Sequence, residues 1–205
     1  ATSENANGRV FGFNNDDWTE NEGPLPTDLR HVLNISGLLV APWKINVSFS
    51  LAAYSRAPFT AYIAGIDFNG DGTTNDLLPG TRVNQFNRGL DRDDLTRLVA
   101  DYNETYAGRL TIMGQRAPFV TLPADYGFND HFFTLDVRIA RAFSLGRSAR
   151  LEVLVDIFNV LDTMNLTGYS GNLLATSSFG KPTGRVGQAF GSGGPRAGQF
   201  GVRLG

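Results

Sequence analysis

The chain has 205 residues, and 18 Lys plus Arg against 20 Asp plus Glu leave a formal charge of −2, which excludes a basic nucleic-acid footprint. It has no cysteine, so disulfides, thiolate metal centres and thiol catalysis are ruled out. Two histidines, His31 and His131, are too few for a His-rich metal or catalytic scheme, and no apolar run approaches the ~18 residues of a membrane-spanning helix.

The chain opens Ala1-Thr2-Ser3, without Met and without a signal peptide, as expected of a piece of a longer protein. Residues 1–29 are rich in Asn, Asp, Glu and Gly, lack periodicity and read as loop. From Arg30 to Ala41 the residues Leu33, Ile35, Gly37, Leu39 and Ala41 fall on one side of a period-two pattern. After a break at Pro42-Trp43, Ile45, Val47, Phe49, Leu51 and Ala53 repeat that pattern within 44–55, so the pair reads as a hairpin.

Residues 56–131 form a long insertion with a Gly/Asp/Asn-rich stretch over 67–76 and a helix expected over 91–106. In that helix Leu95, Leu98, Val99 and Tyr102 share a face, behind Asp91, Asp93 and Asp94, whose charges suit a helix N-terminus. Alternation returns over 133–143 and, after a turn at 144–148, over 150–161. A second long loop, 162–197, leads to a last strand over 199–205, which makes five strands.

The connections alternate between long and short. Antiparallel neighbours reverse direction, so the short turns collect at one end of the sheet and the long loops at the other, as in transmembrane β-barrels. A strand of about 11 residues spans roughly 36 Å, enough to cross a hydrocarbon layer when tilted. The face opposite the aliphatic one carries Asp136, Arg138, Glu152, Asp156 and Arg203, which suit a water-filled or plugged lumen. A soluble β-sandwich would also alternate, and the loop asymmetry favours the barrel. Five strands cannot close a barrel, which needs about eight or more. The expected fold class is therefore all-β: an antiparallel transmembrane β-barrel fragment of about five long strands, with long extracellular loops and one short loop helix. Residues 1–29 would be an extracellular loop of a preceding hairpin, and 30–205 C-terminal barrel strands with long loops at 56–131 and 162–197.

Several stretches together resemble the C-terminal barrel of TonB-dependent outer-membrane receptors, in particular the Oar-like group. They are Ser55-Arg56-Ala57-Pro58-Phe59, then Asp67-Phe68-Asn69-Gly70-Asp71-Gly72 with Asn75-Asp76. Leu135-Asp136-Val137-Arg138 leads on to Leu151-Glu152-Val153 and Phe158-Asn159-Val160-Leu161-Asp162, and Phe179-Gly180-Lys181-Pro182 precedes Gln199-Phe200-Gly201-Val202-Arg203-Leu204. The resemblance implies a segment of a bacterial outer-membrane barrel that takes up a large polar solute such as a siderophore, glycan or peptide, with no enzymatic activity. It also implies outer-membrane lipid, an N-terminal plug, the TonB complex and the barrel-assembly machinery as partners. Because such barrels commonly end in Phe, the parent chain is expected to continue with Phe just after Gly205.

Asp67, Asn69, Asp71, Thr73 and Asp76 resemble the first half of a calcium loop, with Leu78 where an EF-hand places its bidentate Glu. The two readings are a weak calcium site and a metal-free Asx/Gly turn. Trp43 and Phe143, beside the two short turns, suit an interfacial aromatic girdle. Neither histidine has an acid or nucleophile at motif spacing; the Asn-x-Ser sequences at Asn34 and Asn46 lie in expected strands and read as coincidental, and a bacterial origin would make the Asn-x-Thr sequences at Asn103 and Asn165, in helix or loop, irrelevant. The alternative to the receptor is a soluble calcium-binding β-sandwich module for adhesion or carbohydrate binding.

Overall fold

A computed structural model of the chain describes residues 12–187 and 192–205. The protein is mostly antiparallel β, with 37% strand and 9% helix. Its contacts define two compact units.

The first unit comprises residues 30–55, 130–167 and the described part of 184–205. Its five-stranded meander runs β1 (Val32–Ala41), β2 (Ile45–Tyr54), β5 (Phe132–Leu145), β6 (Ala149–Phe158) and β9 (Ala197–Leu204), each strand antiparallel to the next. All five expected strands are present, with ends shifted by at most three residues. Among the described residues the sheet does not close, and β1 and β9 are its edges. A small pair, β7 (Leu166–Thr167) and β8 (Gly184–Arg185), completes the unit.

The short connections are tight. Pro42–Lys44 form a single 3₁₀ turn in which Trp43 and Lys44 take positive φ, 57° and 58°. Gly146, at φ 75°, turns β5 into β6. Gly37 in β1 stands opposite Phe49, and a Cβ there would lie 2.7 Å from the Phe49 ring. The missing side chain thus lets an aromatic ring lie across the strand, a device that pins register.

Strand β6 stops at Phe158, three residues before the alternation ends, because Asn159 turns to φ 47°. The Asn159 N–H donates to Asp136 Oδ1 (2.8 Å), and its side-chain amide donates to the carbonyls of Thr163 (2.9 Å) and Gly194 (2.7 Å). Its Oδ1 accepts from the Thr163 N–H (3.1 Å), and the residue is fully buried. Asn159→Ala strands these buried groups and is expected to cost about 1–3 kcal/mol. Urea unfolding midpoints of wild type and variant measure it.

The second unit gathers the described residues up to Leu29, Arg56–Asn129 and Gly168–Thr183. The long segments thus make a folded body with its own core, and the chain passes from it into the sheet between Leu29 and Arg30. Phe59, Phe86, Phe128 and Phe179 form an aromatic cluster, with ring centroids 4.8 Å apart for Phe86–Phe128 and 5.2 Å for Phe59–Phe128. Around it lie the pair β3 (Tyr62–Ala64) and β4 (Asn75–Leu77), and helix α1 (Arg92–Thr105). The helix buries Leu95, Val99 and Tyr102. Its acidic start is a capping box: Asp91 accepts from the Asp93 and Asp94 N–H groups, and Asp94 accepts from that of Asp91.

Candidate functional site

Strand register sorts the side chains of the large sheet into two faces. One row reads Leu39, Val47, Ile139, Val155 and Phe200, and the next Ala41, Ile45, Arg141, Val153 and Val202. That face is aliphatic and aromatic over all five strands, and Arg141 is its one charged member within the paired rows. The opposite face carries Asp136, Arg138, Glu152, Asp156 and Arg203, so the five polar residues singled out in the sequence do share one side. Arg138 forks onto Asp156, with Nε to Oδ1 at 2.5 Å and Nη2 to Oδ2 at 3.1 Å. Arg203 approaches Glu152 at 3.5 Å.

Burial runs opposite to that of a water-soluble sheet. On the polar face Thr134, Ala140 and Asp156 are buried, and Asp156 is only 5% exposed. No residue of the apolar face is buried. Leu39 is 63%, Phe200 67% and Leu204 70% exposed. A soluble sheet would cover its aliphatic face and present its charges to water.

The two girdle candidates lie at the short-turn end. Trp43 is 76% exposed in its turn, and Phe143 stands two residues before the end of β5. The guanidinium of Arg141 sits 4.9 Å from the Phe143 ring centroid. Aromatic rings with an adjacent long cation suit a membrane–water boundary.

The acidic loop lies in the other unit and closes on itself. Asp67 accepts the N–H groups of Gly70 (2.6 Å) and Gly72 (3.0 Å). Asp71 accepts the Thr73 N–H (2.7 Å), and Asn69 Oδ1 accepts the Asp71 N–H (3.1 Å). Asp76 accepts from the N–H groups of Phe68 and Asn69 and from the Thr73 hydroxyl. Asp67, Asn69, Asp71, Thr73 and Asp76 are thus drawn together, with backbone donors occupying their carboxylates. Among the described residues, no group of three or more His, Cys, Asp or Glu is arranged to hold a metal ion.

Burial pushes the Asp76 carboxyl above its ordinary range, against the hydrogen bonds it accepts. Partial burial also acts to raise Asp71, but the donors from Thr73, Asn15 and Asn69 outweigh it and hold that carboxyl below its ordinary value. Asp76→Ala leaves the Phe68 and Asn69 amides without an acceptor and is expected to loosen the loop by about 1–3 kcal/mol. Faster hydrogen exchange at those two amides, with the large sheet unchanged, is the expected readout.

His31 and His131, which lack an acid or nucleophile at motif spacing, come together in the structure. Both line one cavity beside the long-loop end of β1, β2 and β5. The aromatic cluster escaped the sequence reading, because Phe59, Phe86, Phe128 and Phe179 follow no local period. Compared with known proteins, the chain matches no family model, no curated protein and no solved structure.

Proposed function

We propose that this chain is a membrane-embedded segment of a bacterial outer-membrane receptor of the TonB-dependent type, whose barrel admits a large polar solute. The observation that carries the reading is the inverted burial of the large sheet: no position of the aliphatic face is buried on any of the five strands, while the buried positions lie on the charge-bearing face. Lipid is the solvent that suits the first face, and a water-filled or plugged lumen suits the second. The unpaired edges β1 and β9 support it too, since backbone groups at membrane depth need partner strands, which the rest of a barrel supplies.

In this reading Asp136, Arg138, Glu152, Asp156 and Arg203 line the lumen or meet the plug, and Trp43 and Phe143 mark the membrane boundary at the short-turn side. The folded body built from the long segments supplies residues that recognise the solute. Bond-making chemistry plays no part, and the acidic loop acts as a hydrogen-bonded brace for that body. Calcium remains a ligand to test there by isothermal titration: binding heat at millimolar concentration would make the brace a metal site.

The test is the behaviour of the full-length protein. It is expected to require detergent, to insert into lipid vesicles and to migrate faster on gels before heating than after. A monodisperse protein in plain buffer would overturn the proposal.

A further inference from the structure

The two histidines of the chain stand 100 positions apart in sequence, yet both line a cavity of about 620 Å³ together with Arg30, Leu33, Ala53 and Phe133. Register places this cavity. Leu33 stands opposite Ala53 and Ala53 opposite Phe133, all on the apolar face, and the lining residues Val32, Tyr54 and Phe132 come from the intervening row of the other face. Two residues further towards the long loops, the same alternation brings His31, Ser55 and His131. The Ser55 N–H still donates to the His31 carbonyl (2.9 Å), so pairing continues to that point.

The donors gathered there are uncommitted. Neither imidazole and no nitrogen of the Arg30 guanidinium has a hydrogen bond or ion pair among the described residues. Ser55 Oγ accepts the His31 backbone N–H (3.1 Å), which leaves its hydroxyl proton to give. Asp130, the adjacent carboxylate, accepts the His131 backbone N–H (2.9 Å). Arg30, the two imidazoles and the Ser55 hydroxyl line this one cavity and are donors of the kind that the oxygens of a phosphate group accept. Directly below them begins the aliphatic face.

We propose that this cavity seats the phosphate headgroup of a membrane lipid, whose acyl chains run down the apolar face past Leu33 and Phe133. The assignment rests on the membrane reading above and adds a lipid site at its long-loop border. Charge complementarity selects the headgroup, and continuity with the apolar face selects a lipid over free phosphate.

The experiment uses the full-length protein in detergent, titrated with dioctanoyl phosphatidic acid, dioctanoylglycerol and inorganic phosphate, with bound ligand read by native mass spectrometry. Phosphatidic acid is expected to bind roughly tenfold or more tightly than either of the others, since one lacks the charge and the other the chains. Combining Arg30→Gln, His31→Gln and His131→Gln should weaken phosphatidic acid by a similar factor, roughly tenfold or more. Equal affinity for phosphatidic acid and dioctanoylglycerol in the wild type overturns the site, even if the variant fails to fold. So does unchanged affinity in a folded variant, and so does inorganic phosphate binding as tightly as the lipid. If those results come from a protein that still needs detergent and shifts on heating, the membrane reading stands and the lipid site alone is lost.

Discussion

Ile139→Arg is expected to destabilise the protein in a bilayer by about 2–4 kcal/mol, the cost of an arginine on the lipid face near the midplane. Ile139 sits in the middle of β5, between Val47 and Val155 on the apolar face, and is 42% exposed. At an ordinary water-exposed site the same change would fall within about 0.5 kcal/mol of neutral. Urea unfolding of the full-length protein from vesicles therefore separates the two solvents. A control, Ser48→Arg, sits one residue along β2 from Val47 on the polar face, opposite Arg138. It should disturb the Arg138–Asp156 pair without an insertion penalty.

The second large effect lies in the body built from the long segments. Phe86→Ala should cost about 3–5 kcal/mol, since it empties the centre of an apolar cluster. Phe86 is fully buried, packs against Phe128 and Phe59, and its backbone pairs with that of Phe59 in both directions at 3.1 Å. The loss should be local. Limited proteolysis is expected to cut the long segments in the variant while the five strands stay protected. If strands and long segments are lost together, the two units fold as one cooperative block.

The strands were legible in the sequence because period-two alternation is a local signal and each strand carries it alone. Their ends were less so: the alternation runs through Leu161, but Asn159 has already left the strand to bond Asp136, a tertiary event. The helix was legible at both ends, through the Asp91 and Asp94 cap and the Leu95, Val99 and Tyr102 spacing. The folded body was not. Phe59, Phe86, Phe128 and Phe179 lie on irregular segments whose contacts are long-range, and the reading took them as loop. Several residues that carry the family resemblance, Phe59, Asp76, Asn159 and Phe179, prove to be buried packing or hydrogen-bonding positions.

The face of the sheet that meets lipid is the claim on which the functional reading depends, and because these 205 residues contain no cysteine, single cysteines placed in them report on it directly in a parent protein cleared of any other cysteine. Single cysteines at Val47, Ile139 and Val155 on one face, and at Ser48, Ser50 and Gln199 on the other, would carry a bimane label in full-length protein reconstituted into vesicles. The first three labels should be quenched by brominated acyl chains, while the second three cysteines should react with a water-soluble maleimide and give labels that escape quenching. Free maleimide reaction at positions 47, 139 and 155, with no quenching by the brominated lipid, would contradict the account.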